Sequence, residues 1–269
     1  MCSEMKRVCT SLAFLALTLS CSVKEDRSEC PCFLTVDMSG VETSSLMGQG
    51  LDSLVLLIGS GEDFYIKEAF RLRDNVQEYS AAVPRGEVSV LAACGPAWER
   101  FSRSGMHIPE GGECPVVYMF AESFEAASGE MRRSVVLHRS FCVLTVSMKT
   151  SYGAKPRPYR ILLDGNISGF NMDGTPEEGV FHSFSPASSG GLCRMRIPRQ
   201  VDGSLMLEID FLDSDEIRTF PIGRYILESG YDWSAPDLED ISVEMDFSRS
   251  SLTFTTSKWK KTLSFEITF

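Results

Sequence analysis

The residue best placed for chemistry is Cys21, because it follows the kind of segment that directs a chain out of the cell. Lys6-Arg7 precedes an apolar run from Val8 to Leu19 that is too short to span a bilayer, and Ser20-Cys21 closes it. These features describe a secretory signal peptide, and the cysteine at the break is typical of a bacterial lipoprotein. We therefore predict that residues 1–20 are removed and that Cys21 is acylated. The alternative is a signal peptide cleaved at another position.

Lipid on Cys21 would be the membrane attachment of the mature chain. Stable anchoring takes more than one acyl chain, and a bacterial lipoprotein carries two or three. No second apolar run approaches the length of a transmembrane helix, so the sequence predicts a lipid-anchored protein that does not span the membrane. Residues 21–32 form the lipidated N-terminal segment. Within it, Lys24-Glu25-Asp26 resembles the Lys-acid-acid signal that exports lipoproteins of the Bacteroides group to the outer face of the outer membrane.

The remaining cysteines suggest disulfide chemistry. Of nine cysteines, Cys2 and Cys9 leave with the signal peptide and Cys21 takes lipid. The other six are Cys30, Cys32, Cys94, Cys114, Cys142 and Cys193. In an exported chain we expect at least one bridge from Cys30 or Cys32 to Cys94 or Cys114, which all flank strands of the first half. Cys142 and Cys193 share apolar strand faces and are expected to be buried free thiols. Cys-Pro-Cys alone is poor spacing for zinc.

Catalytic and metal-binding patterns are weak. The three histidines, His107, His138 and His182, are far apart in sequence, and no zinc-protease, nucleophile-elbow, phosphate-loop or dinucleotide motif is present. Asp164 to Gly169 resembles half of a calcium loop, but Thr175 stands where the bidentate Glu is needed, so a tight turn is the default. Asp237, Glu239 and Asp240 indicate an acidic loop more than a glycosidase pair, and Trp233 a packing aromatic more than a sugar platform. We expect no enzymatic activity, metal or cofactor.

Charge and periodicity indicate the class of fold. The formal charge of −11 argues against nucleic acid as a partner. Apolar residues alternate at period two almost throughout, which predicts short strands, with short helices considered at Ala121 to Ala127 and between Gly95 and Gly112. The polar segment Lys149 to Pro158 is the best domain boundary. The sequence therefore predicts an all-β protein with two sandwiches in series, at residues 33–150 and 151–269.

The C-terminal residues 262–269 alternate perfectly, with Leu263, Phe265, Ile267 and Phe269 on one face. Four large apolar side chains favour a paired strand over a frayed end. Trp259-Lys260-Lys261 can form the turn of a hairpin with Leu252 to Thr255. We therefore predict that the last strand is paired within the chain and is not donated to a partner.

Several segments resemble the fimbrillin-associated anchor proteins of Bacteroides-type (type V) fimbriae. The resemblance spans the whole mature chain and is sharpest at the lipoprotein start. The segments that carry it are Cys21 with Lys24 to Arg27, Cys30 to Asp37, Val136 to Arg139 with the strand after it, Phe220 to Leu227, Leu238 to Asp246, and Trp259. Val136 to Arg139 and the following strand resemble the pair that closes the first domain of that family.

The resemblance implies two transthyretin-like β-sandwich domains, no enzymatic activity, and a place at the base or tip of a fimbrium. It also implies joining to pilins by β-strand addition. A stalk subunit loses its N-terminal segment to a protease, for which Arg27 or Arg71 could serve, whereas an anchor keeps Cys21. The alternative is a surface glycan- or host-binding adhesin that uses loops such as Gly165 to Glu178 or Gly230 to Asp240. An enzyme, such as a hydrolase, is the third hypothesis.

Overall fold

The computed structural model describes residues 31–60, 63–95, 100–102, 105–127, 129–149, 157–185 and 191–264. Most of them lie in antiparallel strands, as the period-two alternation predicts. The strands of the first half are β1 (Cys32–Asp37), β2 (Ser53–Ser60), β3 (Asp63–Arg71), β4 (Glu78–Val83), β5 (Gly86–Cys94), β6 (Gly105–His107), β7 (Tyr118–Ala126), β8 (Glu130–Ser134) and β9 (His138–Arg139). Those of the second half are β10 (Phe141–Met148), β11 (Tyr159–Asn171), β12 (Pro176–Phe184), β13 (Leu192–Pro198), β14 (Met206–Phe211), β15 (Ile217–Phe220), β16 (Ile241–Asp246), β17 (Ser251–Thr255) and β18 (Lys260–Ser264).

Two sheets enclose the first core. One has the order β4-β1-β8, the other β3-β2-β5-β7-β9. Leu34 and Val36 of β1 are fully buried against Leu56 and Ile58 of β2 and their neighbours. Strand β2 is apolar without interruption from Leu54 to Ile58 because both of its faces are covered, one by this core and the other by the second core.

The second core lies between sheets of order β13-β10-β16-β17-β18 and β12-β11-β14-β15. The connectivity repeats that of the first core: β1 to β5, β7 and β8 correspond in order to β10 to β14, β15 and β16. In each half a central strand pairs antiparallel on one side and parallel on the other, β1 with β4 and β8, and β10 with β13 and β16. Only the second half adds a C-terminal hairpin, β17 and β18. The predicted all-β sandwich fold is confirmed.

The two halves are in direct contact through the connection between β5 and β7. Strand β6 in this connection pairs with β11 of the second half. The approach is so close that a Cβ at Gly105 would lie 2.0 Å from the carbonyl oxygen of Phe170, and Gly105 has a φ of +148°. Only glycine fits there without moving the strands. Met106 and Ile108 continue the second core onto the outer face of β2 and β5.

Strand pairing crosses the predicted domain boundary at residue 150. Strand β10 precedes that boundary, yet it pairs with β13 and β16, which follow it. From the family resemblance we expected Val136 to Arg139 and the next strand to form a pair that closes the first domain. This expectation is wrong, because β9 pairs with β7 whereas β10 lies in a sheet of the second half. The division into 33–150 and 151–269 stays a prediction, and residues 150–156 lie outside the described part of the chain.

Two short helices were not foreseen, and one considered helix is wrong. Helix α1 (Thr43–Gly48) buries Leu46, and α2 (Ile222–Ser229) buries Ile222 and Ile226 before Gly230, at a φ of +94°, ends it. Ala121 to Ala127 was considered as a helix, but Tyr118–Ala126 is strand β7, paired along its length with β5. Among the described residues no helix has the length and apolar character needed to cross a bilayer.

Candidate functional site

The N-terminal strand connects the predicted lipid site to the core. Cys21, the export residues Lys24, Glu25 and Asp26, and also Arg27 and Cys30, lie outside the described residues. Cys32 begins β1 eleven residues after Cys21, a length of chain that spans at most about 36–40 Å. Because β1 is hydrogen bonded on both sides, the chain enters the fold at the centre of a sheet and not at its edge.

The predicted disulfide from Cys32 is not formed. Cys32, Cys94 and Cys114 are free, buried thiols. Cys32 pairs with Val83, next to the start of β5, whereas Cys94 ends β5, eight residues and roughly 26 Å further along that strand. Cys114 belongs to the other core. The even cysteine count of an exported chain therefore misled us, since both expected partners, Cys94 and Cys114, are free thiols; Cys30 itself lies outside the described residues.

The buried thiols are poor nucleophiles. Burial raises the pKa of Cys94 and of Cys142 to about 12 in each case. Burial also raises the pKa of Cys114 and Cys193. A thiol held neutral in an apolar core acts as a small apolar side chain. Cys142 and Cys193 are buried and free, as expected.

Each histidine contacts a carboxylate that sequence spacing did not reveal. His182 Nδ1 lies 2.5 Å from Asp164 Oδ1, and His138 Nδ1 lies 3.2 Å from Asp237 Oδ2. The third contact is the most interesting chemically: Ser102 Oγ is 2.7 Å from His107 Nε2, and His107 Nδ1 is 2.7 Å from Glu177 Oε2.

Serine, histidine and glutamate in this order are the residue types of an acyl-transfer triad. The geometry supports that chemistry poorly. The contact between His107 Nδ1 and Glu177 Oε2 is short, but it is not aligned as a hydrogen bond. Ser102 is exposed and follows the buried Phe101 between β5 and β6. The group instead ties β6 to β12, across the contact between the two halves.

The acidic loop between α2 and β16 is structural. Asp237 accepts a hydrogen bond from the Arg139 backbone N–H at 2.7 Å, and Asp240 accepts one from Val143 N–H at 2.9 Å. Glu239 pairs with Lys258 at 2.5 Å. Trp233 is buried, with its ring 4.7 Å from that of Tyr231, which confirms the packing interpretation over a sugar platform.

Arg199, the residue that follows β13, binds this loop through its side chain. Its guanidinium donates to the carbonyl of Trp233, to that of Ala235 at 2.7 Å and to that of Pro236 at 2.9 Å. Burial lowers the pKa of Arg199, and this effect outweighs that of nearby acidic groups, which raise the pKa. Residues 230–240 therefore form a fixed connection and not a free binding loop.

The candidate calcium loop is a strand. Asp164 to Gly169 lies inside β11, with irregular register against β12, and Asp164 faces His182. The expectation of a tight turn here is wrong, because apolar residues before and after this polar stretch continue the alternation into a long strand. Among the described residues no group of three potential metal ligands comes together.

A pocket of about 220 Å³ opens at one end of the second core. Its aromatic rings are already covered, since Arg157 lies 4.0 Å from the centre of the Phe211 ring and Arg218 lies 4.4 Å from that of Phe247. Its cations are also paired: Arg157 contacts Asp213 and Glu216, each at 2.7 Å. The pocket thus offers neither a free ring for a sugar nor a free charge for an anion.

Exposed sheet edges are the surfaces at which one protein chain can add a strand to another. The edge of β13 is partly covered, because Cys114 N–H donates to the Arg196 carbonyl at 3.1 Å. The edge of β12 is covered at His182, whose carbonyl accepts from Gly111 N–H at 2.9 Å. Strand β18 carries exposed Lys260 and Lys261, charges that discourage edge pairing. The edge of β8 differs from all of these and is described below.

The hairpin of β17 and β18 has the predicted partner. Lys260–Ser264 pairs antiparallel with β17 in register, Leu263 opposite Leu252. The strand is therefore paired within the chain up to Ser264. Residues 265–269 lie outside the described part.

The fold is similar to that of several solved bacterial proteins. No protein-family model and no curated protein matches the sequence. In structure the chain is similar to the fimbrial anchor protein Mfa2 from Porphyromonas gingivalis, with 13% identity, a TM-score of 0.57, and coverage of 86% of this chain and 99% of that one. It is also similar to a protein described as a candidate adhesin from Bacteroides ovatus, with 10% identity, a TM-score of 0.57, and coverage of 87% and 96%. A third, described as a candidate polysaccharide-binding protein from Bacteroides thetaiotaomicron, has 11% identity, a TM-score of 0.55, and coverage of 87% and 98%. The chain therefore has the fold of the fimbrial anchor protein Mfa2, in agreement with the resemblance seen in its sequence.

Proposed function

We propose that this chain is a non-enzymatic outer-membrane lipoprotein that acts as the anchor or an accessory subunit of a fimbrium. The observation that carries the proposal is the position of β1. It starts eleven residues after the predicted lipidation residue Cys21 and fills the centre of a sheet whose core residues, Leu34 and Val36, are 0% exposed. The fold shared with the anchor protein Mfa2 supports the same conclusion.

A retained β1 suits an anchor because it links lipid and fold. Cleavage after Arg27 would release the folded part from Cys21. Cleavage after Arg71 would separate β1, β2 and β3 from the rest of the chain, together with the buried residues they contribute. An uncut chain keeps both the lipid and the filled sheet, while an edge elsewhere joins it to pilins by strand addition.

Acylation is the first part of the proposal to test. Metabolic labelling with palmitate should mark the wild-type chain and not Cys21→Ala, which should appear as a soluble or uncleaved product. Cys9→Ala is the matched control, since Cys9 leaves with the signal peptide and its loss should not change labelling. An unlabelled wild-type chain would contradict the assignment of Cys21.

Assembly is the second part. Surface fimbriae purified from cells and blotted for this chain should contain it, and Cys21→Ala should release fimbriae into the medium. A chain that stays in the outer membrane and never accompanies fimbriae would favour the adhesin hypothesis, as would neighbouring genes for glycan import in place of fimbrillin genes.

The export signal is a separate proposal. Replacing Lys24, Glu25 and Asp26 together by alanine should leave the lipoprotein in the membrane but protect it from protease added to intact cells. Equal digestion of the variant and the wild type would show that these three residues do not direct surface exposure.

A further inference from the structure

The two halves of the molecule differ at one edge. In the second half, the strand that runs parallel to the central strand, β16, carries β17 on its other side. Its counterpart in the first half is β8, which runs parallel to β1. Among the described residues no strand pairs with the other side of β8. In the part of the first half that the structure describes, no strand takes the place that β17 has in the second half.

The open edge of β8 presents its backbone groups in a regular row. Phe33 N–H donates to the Gly129 carbonyl, and Val135 N–H donates to the Asp37 carbonyl, both at 2.8 Å. In a parallel ladder these bonds direct the odd-numbered residues of β8 toward β1. The N–H and C=O groups of Arg132 and Ser134 therefore point to the open side.

Apolar side chains line the seam between the open edge of β8 and strand β7. Met131 of β8 and Phe120 and Phe124 of β7 pack on the first core and remain half-buried. In the second half the β17 side chains Leu252 and Phe254, both 0% exposed, complete the core in the corresponding place.

Arg133 covers the seam in the absence of a strand. Its guanidinium lies 4.2 Å from the centre of the Phe124 ring, its Nε is 3.3 Å from Glu122 Oε1, and its Nη1 donates to the outward carbonyl of Arg132 at 2.9 Å. The buried Nε has no aligned acceptor, so the fit is imperfect. At the inward positions of β16 the residues are all apolar: Ile241, Val243 and Met245.

We propose that the outer edge of β8 accepts a β-strand from another subunit, antiparallel to β8 and with apolar side chains at alternate positions. The inference rests on the proposed function, since it names the edge used for strand addition. On docking, the Arg133 side chain leaves the Arg132 carbonyl and the Phe124 ring. The backbone of the incoming strand donates a hydrogen bond to the Arg132 carbonyl, and its apolar side chains pack in the seam. In the free chain, the inward-pointing Arg133 protects the edge from indiscriminate pairing.

The chain's own N-terminal segment is a poor occupant of this edge. Between Cys21 and Pro31 it contains one large apolar side chain, Val23, and the run Lys24 to Glu29 is entirely polar. Such a segment could pair its backbone but could not cover Phe120 and Phe124. A strand with the pattern of β17 satisfies both requirements, which is why the occupant is assigned to a separate subunit.

The test uses the full-length chain purified in detergent and a fluorescein-labelled peptide with the sequence of residues 250–256. The control peptide carries Leu252→Ser and Phe254→Ser. Fluorescence anisotropy should show binding of the first peptide only. Hydrogen exchange on the wild-type chain should show new protection at Arg132 and Ser134 when the peptide is added.

Three variants locate the binding. Arg132→Pro removes one outward N–H without touching the ladder to β1, and should weaken binding about tenfold, the effect of one lost backbone hydrogen bond. Arg132→Ala loses the same side-chain contacts and should bind as the wild type does. Arg133→Val, which makes the seam resemble that of β16, should tighten binding about tenfold or more.

Absence of peptide binding to both the wild type and Arg133→Val would overturn the proposal. So would protection that appears at other strands, or binding that Arg132→Pro leaves unchanged. The proposed function fails separately, if the chain is absent from purified fimbriae. A chain present in fimbriae whose Arg132→Pro variant still assembles would leave the function standing and refute the β8 edge.

Discussion

Phe254→Ala tests whether the C-terminal hairpin is an integral part of the second core. Phe254 is 0% exposed, lies opposite Val243 of β16 and Lys261 of β18, and belongs to the second core. Truncating a buried phenylalanine removes its transfer free energy and leaves a cavity, at a cost of about 3–5 kcal/mol. That is a large share of the roughly 5–15 kcal/mol that stabilises a typical domain. We expect the urea midpoint followed by circular dichroism to fall accordingly.

Thr253→Ala is the matched control on the same strand. Its hydroxyl lies 3.0 Å from that of Thr262 on the outer face, so its loss should cost less than about 1 kcal/mol. A hairpin that serves as a detachable donor would give a different result. In that case Phe254→Ala would change the free energy of unfolding by less than about 1 kcal/mol, like the control, and our reasoning about an intramolecular final hairpin would be wrong.

Three further predictions concern the polar contacts. Arg199→Ala should destabilise the fold by about 2–4 kcal/mol in urea unfolding, because it leaves carbonyls of the loop at residues 233–236 without their charged donor; a loss below about 0.5 kcal/mol would contradict the role of Arg199. The Ser39 hydroxyl and N–H, followed by Arg132, lower the pKa of Asp37 to about 2, so its contribution to stability is present above pH 4 and is lost as the pH falls from about 4 to about 2. An NMR titration of Asp37 should show this value, and one near 3.9 would refute it. Ser102 should resist a fluorophosphonate probe, since the contact between His107 and Glu177 is not aligned as a hydrogen bond; stoichiometric labelling that is lost in Ser102→Ala would indicate a hydrolase.

Local sequence patterns were sufficient to predict strands that are short and have one buried face. Alternation at period two predicted short strands, and β4 (Glu78–Val83) is one of them. The alternation in the last residues likewise predicted the hairpin partner of β18. These cases share a cause, because alternation is a property of a single strand and needs no knowledge of what covers it.

Features that depend on distant partners could not be predicted in this way. Tyr118–Ala126 contains glutamates and alanines that suit a helix, but pairing with β5 along nine residues makes it a strand. The cysteine count indicated disulfides without saying that Cys32 and Cys94 lie at opposite ends of the first core. The contacts of Arg133, and those among Ser102, His107 and Glu177, join separate strands. No local motif predicts either set of contacts.

The parallel and antiparallel neighbours of β1 have a mechanical consequence for a tethered chain. A pull transmitted from Cys21 enters at Cys32 and acts along β1, while the hydrogen bonds to β4 and β8 lie mainly across that direction. The two ladders are therefore loaded in shear, so their bonds share the force and must fail together, whereas an edge strand pulled sideways would open one bond at a time. The lipid tether proposed for Cys21 would therefore load this sheet in shear, the direction in which it best resists rupture.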